Sequence, residues 1–140
     1  GSLDWQKRMR IRMFTRAALV AVGLLAGSSV LAQGRVDYLE NCSACHGRFA
    51  AGDGPLTGVL LVPVPDLRRL SAMSGGTFPA DYVYKVIDGR EQFLSHGDRF
   101  MPVWGSEFWL QEGGDQQAET AVRQRILGLV EFLASIQLLD

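Results

Sequence analysis

Cys42-Ser43-Ala44-Cys45-His46 is the stretch of this sequence that decides how the rest of the chain is read. Two cysteines separated by two residues, with histidine directly after the second, form the pattern of a c-type haem attachment site. Residues three apart on a helical turn share a face, so both thiols can add to the two vinyl groups of one porphyrin. The imidazole of His46 can then bind the iron from one side. The sequence therefore predicts one covalent haem c, held through Cys42 and Cys45, with His46 as an axial ligand.

Two cysteines can also serve as a redox dithiol, a structural disulfide or part of a zinc site. A thioredoxin-like dithiol accompanies a βαβ pattern, and this sequence shows none. Zinc could in principle take Cys42, Cys45, His46 and His96. However, Cys45 and His46 are adjacent, so their side chains diverge and suit a tetrahedral site poorly. Exported cysteines normally form disulfides, whereas here haem addition would consume both thiols.

The first 32 residues have the pattern of a secretory signal. Lys7 and four arginines up to Arg16 form a basic start, residues 17–25 are apolar, and Val30-Leu31-Ala32 precedes a cleavage point. We therefore predict an N-terminal extension and signal peptide over residues 1–32 and one small domain over residues 33–140. The domain would be periplasmic. A membrane span needs about 20 mostly apolar residues, so membrane attachment is expected only if the leader stays uncleaved.

The charge of the mature chain limits the class of its partners. The leader holds five of the 14 basic residues and one of the 15 acidic ones, so the remainder would carry a net charge of −5. An acidic exported domain is a poor ligand for nucleic acid, and we expect no nucleic-acid partner. We expect redox partner proteins instead.

The region around the motif predicts a short helix followed by a glycine-rich loop. Residues 34–41 form the helix, with Val36 and Leu39 on a buried face and Asp37 and Glu40 toward water. In the loop over residues 47–55, a carbonyl such as that of Pro55 could accept the second ring N–H of His46, as metal-bound histidines usually require.

The rest of the chain predicts a buried loop wall and four further helical segments. Residues 56–64 are apolar but interrupted by proline and glycine, which indicates a loop lining the haem rather than a lone strand. Helices are predicted at about residues 67–72 after Asp66, from Pro79 to a stop at Gly89, at residues 106–110, and at residues 118–137 after Asp115. The last is amphipathic, with an apolar stripe at Val122, Ile126, Leu129, Val130, Leu133 and Ile136.

The iron position opposite His46 has three candidate ligands, namely Met101, His96 and Met73. Met73 precedes Ser74-Gly75-Gly76, a flexible stretch that would position an iron ligand poorly. Met101 precedes Pro102, and a following proline biases the backbone of Met101 to an extended conformation. We therefore predict Met101 as the distal ligand, with His96 as the next candidate and a core gap-filler as the alternative role of Met101.

Taken together, the motifs resemble a class I bacterial monohaem cytochrome c over nearly the whole mature chain. The residues carrying the likeness are the attachment motif, Gly52-Asp53-Gly54-Pro55 with Pro65-Asp66-Leu67, Met101-Pro102-Val103-Trp104-Gly105, and the closing helix. The resemblance implies an all-α fold in which the N- and C-terminal helices cross beside one covalently bound haem. It also implies axial ligation by His46 and Met101, and periplasmic electron transfer.

Three functions are compatible with these residues. A haem whose two axial positions are filled by protein has no open site for substrate, which favours a one-electron carrier that is not itself an enzyme. The same domain could be the haem-bearing subunit of a larger membrane or periplasmic oxidoreductase complex, with Trp104, Phe108 and Trp109 facing a permanent partner. A gas sensor or peroxidase with an open distal site is disfavoured by the Met101-Pro102 segment.

Overall fold

A computed structural model of the protein describes residues 29–91 and 100–138. The predicted leader up to residue 28, and the ligand candidate His96, lie outside these ranges. The chain divides into two compact units, Gly1–Val30 and Leu31–Asp140. Ser29 and Val30 are all that is described of the first unit, so the structure below is that of the second. The proposed cleavage after Ala32 stays a prediction.

The described ranges contain only helices and connecting segments, as an all-α class requires. Helix α1 covers residues 29–41. It is followed by α2 (Ser43–His46), α3 (Leu70–Met73), α4 (Ala80–Asp88), α5 (Trp104–Gln111) and α6 (Ala118–Ser135), with 3₁₀ turns at Thr57–Val59 and Leu67–Arg69. Across residues 29–91 and 100–138, no helix combines the length and apolar character needed to cross a bilayer.

Helix ends fall where the local sequence predicts them. Gly89 ends α4 in the left-handed conformation, with φ of 64°, and its N–H donates to the Lys85 carbonyl. Asp66 accepts a hydrogen bond from the Arg68 N–H at 3.0 Å, which starts the turn before α3. Asp115 accepts one from the Ala118 N–H at 3.0 Å, satisfying a donor that the first turn of α6 leaves unpaired.

Helices α1 and α6 contact each other at backbone distance. A Cβ atom placed on Gly34 would lie 1.9 Å from the Gly128 carbonyl oxygen. One turn further along α1, the ring centroid of Tyr38 lies 5.1 Å from that of Phe132. The contact between the first and last helices, which the family resemblance implies, is therefore present in this chain.

The hydrophobic core is centred on α6, as its apolar stripe predicts. Every position of the stripe is buried except Ile136, which is half-buried. Residues from α1, α4 and α5 complete the cluster, namely Tyr38, Val83, Ile87 and Phe108. Phe108 is fully buried and Trp104 and Trp109 are partly buried against the core. The expectation that these aromatic residues face a partner is therefore wrong for Phe108, whereas for the two partly exposed tryptophans it stays a prediction.

The predicted inward face of α1 is confirmed for Leu39, which is partly buried, and for Glu40, which is exposed, but it is wrong for Val36 and Asp37. Val36 is 44% exposed, whereas Asp37 is only 2% exposed and Tyr38 is buried. The physical reason lies on α6, where Arg125 donates to the Asp37 carboxylate at 2.8 Å and so allows a charged side chain to enter the interface. Periodicity on α1 alone carries no information about that partner.

The predicted apolar wall at residues 56–64 is largely exposed. Leu56 and Val59 are exposed, and Leu61 is 93% exposed, whereas Leu60 and Val62 are half-buried. A 3₁₀ turn at Thr57–Val59 breaks the segment, and the chain continues in extended conformation at Leu60. Exposed and half-buried residues alternate from Val59 to Val64. The result is an exposed apolar segment with no charged residue from Gly54 to Pro65.

Gln137 and Leu138 are hydrogen-bonded to residues 67–71. The Gln137 amide nitrogen donates to the carbonyls of Leu67 and Leu133, both at 2.8 Å, while its oxygen accepts from the Ser71 N–H at 2.8 Å. The Leu138 N–H donates to the Arg68 carbonyl at 2.9 Å. These bonds hold residues 67–71 against the end of α6.

Candidate functional site

The two cysteines and His46 lie on one tight helical turn, which we call the attachment turn (residues 42–46). The Cys42 N–H donates to the Tyr38 carbonyl at 2.9 Å, so Cys42 continues α1, and the His46 N–H donates to the Cys42 carbonyl at 2.9 Å. Cys42 and Cys45 are both free thiols and partly exposed. Two thiols and an imidazole within one turn match the spacing that a single porphyrin requires.

The loop after the attachment turn folds back onto it through the backbone. The N–H groups of Gly52, Gly54 and Leu56 donate to the carbonyls of His46, Cys45 and Ala44, respectively, at 2.9, 3.2 and 3.0 Å. Within so short a helix no backbone N–H group pairs with these carbonyls, so without the loop they would stay unpaired. The loop therefore holds the conformation of the attachment turn.

Glycine is required in this loop because backbone meets backbone. Gly47 adopts a φ of +84°, and a Cβ on Gly52 would lie 2.5 Å from the Val64 carbonyl oxygen and 3.1 Å from that of Pro65. Both features exclude larger residues. The close approach at Gly52 brings the chain at residues 64–65 next to the attachment turn.

Tyr38 joins α1 to the residue that follows the attachment turn. Its hydroxyl donates a 2.6 Å hydrogen bond to the Gly47 carbonyl, and the whole side chain is buried. Burial is the main cause of the raised pKa of Tyr38, to which negative charge at Cys42 and Asp53 adds. The hydroxyl therefore stays protonated and keeps α1 fixed to the residue that follows His46.

The His46 imidazole is held in its neutral form. Burial lowers its pKa, and the backbone oxygen of Pro65 acts in the opposite direction. Nδ1 is buried without a hydrogen-bond partner. Neutral imidazole is the form that binds a metal ion, and buried nitrogens normally have a partner. The predicted acceptor, Pro55, is wrong in detail, because the carbonyl beside the ring belongs to Pro65.

The environment of the Cys42 thiol is less polar than the residues adjacent to it in the sequence suggest. Burial raises the pKa of the thiol to about 12, with additional contributions from Coulombic repulsion by Asp37 and then by Cys45. The thiol side of the turn therefore faces the core cluster, against which Cys42 is partly buried.

The candidates for the distal ligand differ in their surroundings. Met101 is partly buried and packs against the same core cluster as Cys42, whereas Met73 is 72% exposed. His96 lies outside the described residues. Packing against the core is consistent with the predicted role of Met101 and with its alternative as a gap-filler, and the assignment of Met101 stays a prediction.

The residues present fit a covalently attached haem. Two unpaired thiols, a half-buried imidazole whose buried Nδ1 has no hydrogen-bond partner, and a partly buried methionine supply the required donors. Leu39, Leu67, Leu70, Phe78 and Trp104 add partly buried apolar surface around the same cluster. Within the described ranges, no three His, Cys, Asp or Glu side chains are grouped to hold a free metal ion.

Comparison with known proteins gives one similarity. The chain is 34% identical over 97 residues to a protein of Azospirillum sp. (strain B510) named "Cbb3-type cytochrome c oxidase subunit CcoP". The similarity is to a cytochrome c subunit. It covers 69% of this chain but 30% of the Azospirillum protein, so the chain spans about a third of that relative's length. No protein-family model matches the chain, and no solved structure does.

Sequence reasoning missed three residues that build the site. Tyr38 lies four residues before Cys42, and residues four apart share a helical face, so its position facing the attachment turn could have been found. Asp37 and Pro65 could not, because their partners Arg125 and His46 are distant in the sequence and only the fold brings them together.

Proposed function

We propose that this chain is the c-type cytochrome domain of a periplasmic electron-transfer subunit, carrying one haem covalently bound to Cys42 and Cys45. The observation that carries the proposal is the attachment turn, with two free thiols and a half-buried, neutral imidazole within five residues. Similarity to a cytochrome c oxidase subunit supports it independently.

A bound haem would supply a one-electron Fe(III)/Fe(II) couple. The residues of the chain tether, ligate and shield it. Cys42 and Cys45 would hold the porphyrin covalently, and His46 would be a ligand to its iron. The Pro65 backbone oxygen, which acts on the imidazole, would be the acceptor that keeps the ring oriented. Met101 is proposed as a second ligand, and a thioether would favour Fe(II) and raise the potential. Iron held by both residues would transfer electrons and would offer no site for substrate.

The partner that this proposal favours is a larger oxidoreductase complex. The Azospirillum relative is named as an oxidase subunit. In addition, Leu56, Val59 and Leu61 expose a charge-free apolar segment that is hydrogen-bonded to the attachment turn at Ala44. Exposed apolar patches commonly mark protein interfaces, and an interface here would lie close to the haem. A freely diffusing carrier is the alternative within the same chemistry.

Covalent attachment is tested by expressing the full chain with haem-maturation machinery. We expect haem to stay with the polypeptide through acid-acetone extraction, and the double variant Cys42→Ala, Cys45→Ala to lose it. Ser43→Ala, within the same turn, is the matched control and should keep it. Haem that extracts freely from the wild-type protein would overturn the proposal.

The distal ligand is tested by spectroscopy of the oxidised protein. Met101→Ala should remove the sulfur-to-iron charge-transfer band and open the iron to carbon monoxide, whereas Met73→Ala and His96→Ala should leave the band in place. Met101→His should stay low-spin with a lower potential, because imidazole favours Fe(III) relative to a thioether. Absence of the band from wild type, with His96→Ala opening the iron, would assign His96 instead.

Subunit and free carrier are distinguished by the size of the native complex. We expect the haem-stained protein from its native membrane or periplasmic extract to elute with a partner oxidoreductase. Replacing Leu61 by Ser should release it, because this side chain is the most exposed of the apolar segment. Elution of the wild type as a monomer would favour a free carrier.

A further inference from the structure

Asp37 is a buried carboxylate one helical turn before the attachment turn. Its side chain is 3% exposed. One oxygen, Oδ1, accepts from both Nη2 and Nε of Arg125, at 2.8 and 3.1 Å. The other oxygen, Oδ2, is buried and has no hydrogen-bond partner. The negative charge of Asp37 is therefore compensated on one side only.

Arg125 interacts with several groups besides Asp37. Its Nη1 donates to Gln111 at 2.9 Å and to Glu112 at 3.1 Å. Its guanidinium carbon lies 3.9 Å from the centroid of the Phe108 ring. Asp37, Arg125 and Glu112 together carry one negative charge in excess. Glu112 is 34% exposed and therefore screened by water, whereas Asp37 is not.

The charge of Asp37 acts on the end of α1 that bears the haem. The backbone oxygen of Asp37 accepts from the Asn41 side chain at 2.9 Å, and Cys42 follows directly. The negative charge of Asp37 contributes, after burial, to the raised pKa of the Cys42 thiol. A field that opposes negative charge on this sulfur also opposes the addition of an electron to a haem bound through it.

We propose that the buried Asp37–Arg125 pair sets the reduction potential of the haem tethered at Cys42, with Asp37 favouring Fe(III) and Arg125 offsetting it. This inference rests on the proposed function, because it needs a covalent haem. It assigns the pair a role beyond holding α1 against α6. A pair that only joined the helices would change stability when altered and would leave the potential unchanged.

The test measures the reduction potential of the haem-loaded full chain by spectroelectrochemistry. Asp37→Asn keeps the shape of the side chain and an oxygen for Arg125 but removes the charge. Two unit charges about 10 Å apart at an effective dielectric constant of about 20 interact strongly enough to change an equilibrium ratio roughly tenfold, so we expect the Fe(II)/Fe(III) ratio at fixed potential to rise by about that factor. A tenfold change is about 59 mV for a one-electron couple.

Changing the partner should move the potential the other way. Arg125→Gln leaves Asp37 buried without its cation, so the potential should fall, whereas Arg125→Lys keeps the charge and should change it little. Glu112→Gln, at the exposed edge of the cluster, should raise the potential less than Asp37→Asn does. Glu131→Gln removes the same charge from an exposed position on α6 and is the matched control; water should screen its effect.

The outcomes separate this inference from the proposed function. If the wild-type chain binds no covalent haem, the proposed function fails. If haem is bound and Asp37→Asn moves the potential no more than Glu131→Gln does, the pair is structural and the inference is wrong. A fall with Asp37→Asn would also contradict it. If Arg125→Gln or Asp37→Asn does not fold, Glu112→Gln and Arg125→Lys decide, because both leave Asp37 in place. A higher potential in Glu112→Gln together with little change in Arg125→Lys supports the inference. An unchanged potential in Glu112→Gln contradicts it.

Discussion

Replacing Gly34 by alanine should be among the most damaging single-methyl additions in this protein. The new Cβ would lie 1.9 Å from the Gly128 carbonyl oxygen and 2.3 Å from its carbon. Ordinary van der Waals contact begins near 3.4 Å, so the α1 and α6 backbones would have to separate by about 1.5 Å. Both obstructing atoms belong to the backbone, and no side-chain rotation can relieve the overlap.

The cost follows from what the separation disturbs. Overpacking a core by a methylene usually costs about 1–3 kcal/mol when side chains can adjust. Here the Tyr38–Phe132 ring contact and the Asp37–Arg125 ion pair lie along the same interface and would loosen with it. We expect a loss of about 3 kcal/mol or more in the free energy of unfolding. Because alanine has a higher helix propensity than glycine, the substitution would recover at most about 1 kcal/mol of this loss.

Urea unfolding of the haem-loaded protein, followed by far-ultraviolet circular dichroism, measures this loss. A destabilisation of 3 kcal/mol in a domain of this size lowers the melting temperature by roughly 12–20 °C. The matched control is Gly58→Ala, since a Cβ at Gly58 meets nothing within 4 Å; its stability should stay within about 0.5 kcal/mol of wild type. If Gly34→Ala is as stable as Gly58→Ala, the α1–α6 contact is not as close as the structure has it.

Three further predictions concern other parts of the chain. Tyr38→Phe deletes the buried 2.6 Å hydrogen bond to the attachment loop and should cost about 1 kcal/mol in urea unfolding, with haem attachment retained. Gln137→Ala removes the amide that joins α6 to residues 67–71 and should cost about 1–2 kcal/mol, whereas Gln124→Ala, on an exposed position of α6, should be neutral. Intact mass of the exported protein should equal residues 33–140 plus one haem; a mass that retains residues 7–32 would make the leader an anchor.

The parts of this fold that sequence predicts are those whose physical cause is local. The bounds of α4 follow from Pro79 and Gly89, which fix backbone conformation at each end. The buried face of α6 follows from a stripe of apolar residues that runs from Val122 to Ile136. The attachment motif is likewise local, since five consecutive residues contain its donors.

What the sequence does not predict depends on partners distant along the chain. Asp37 reads as a solvent-facing residue until α6 brings Arg125 to it. The carbonyl beside His46 is found at Pro65 because Gly52 lets the two backbones approach, and no spacing rule contains that information. The apolar neighbours of Leu61 predict a buried side chain, but Leu61 is exposed in the extended stretch that follows the 3₁₀ turn.

The hydrogen bonds that shape the attachment turn also bear on the order of folding. Each of those joining Tyr38, the turn and the loop to Leu56 spans fewer than about 15 residues, and short loops close quickly and at small entropic cost. The contact between Gly34 and Gly128 instead joins positions about ninety residues apart and must wait for a long loop to close. The segment from Tyr38 to Leu56 can therefore take shape before α6 is in place. Packing of α6 against α1 is the later event that we expect from these loop lengths.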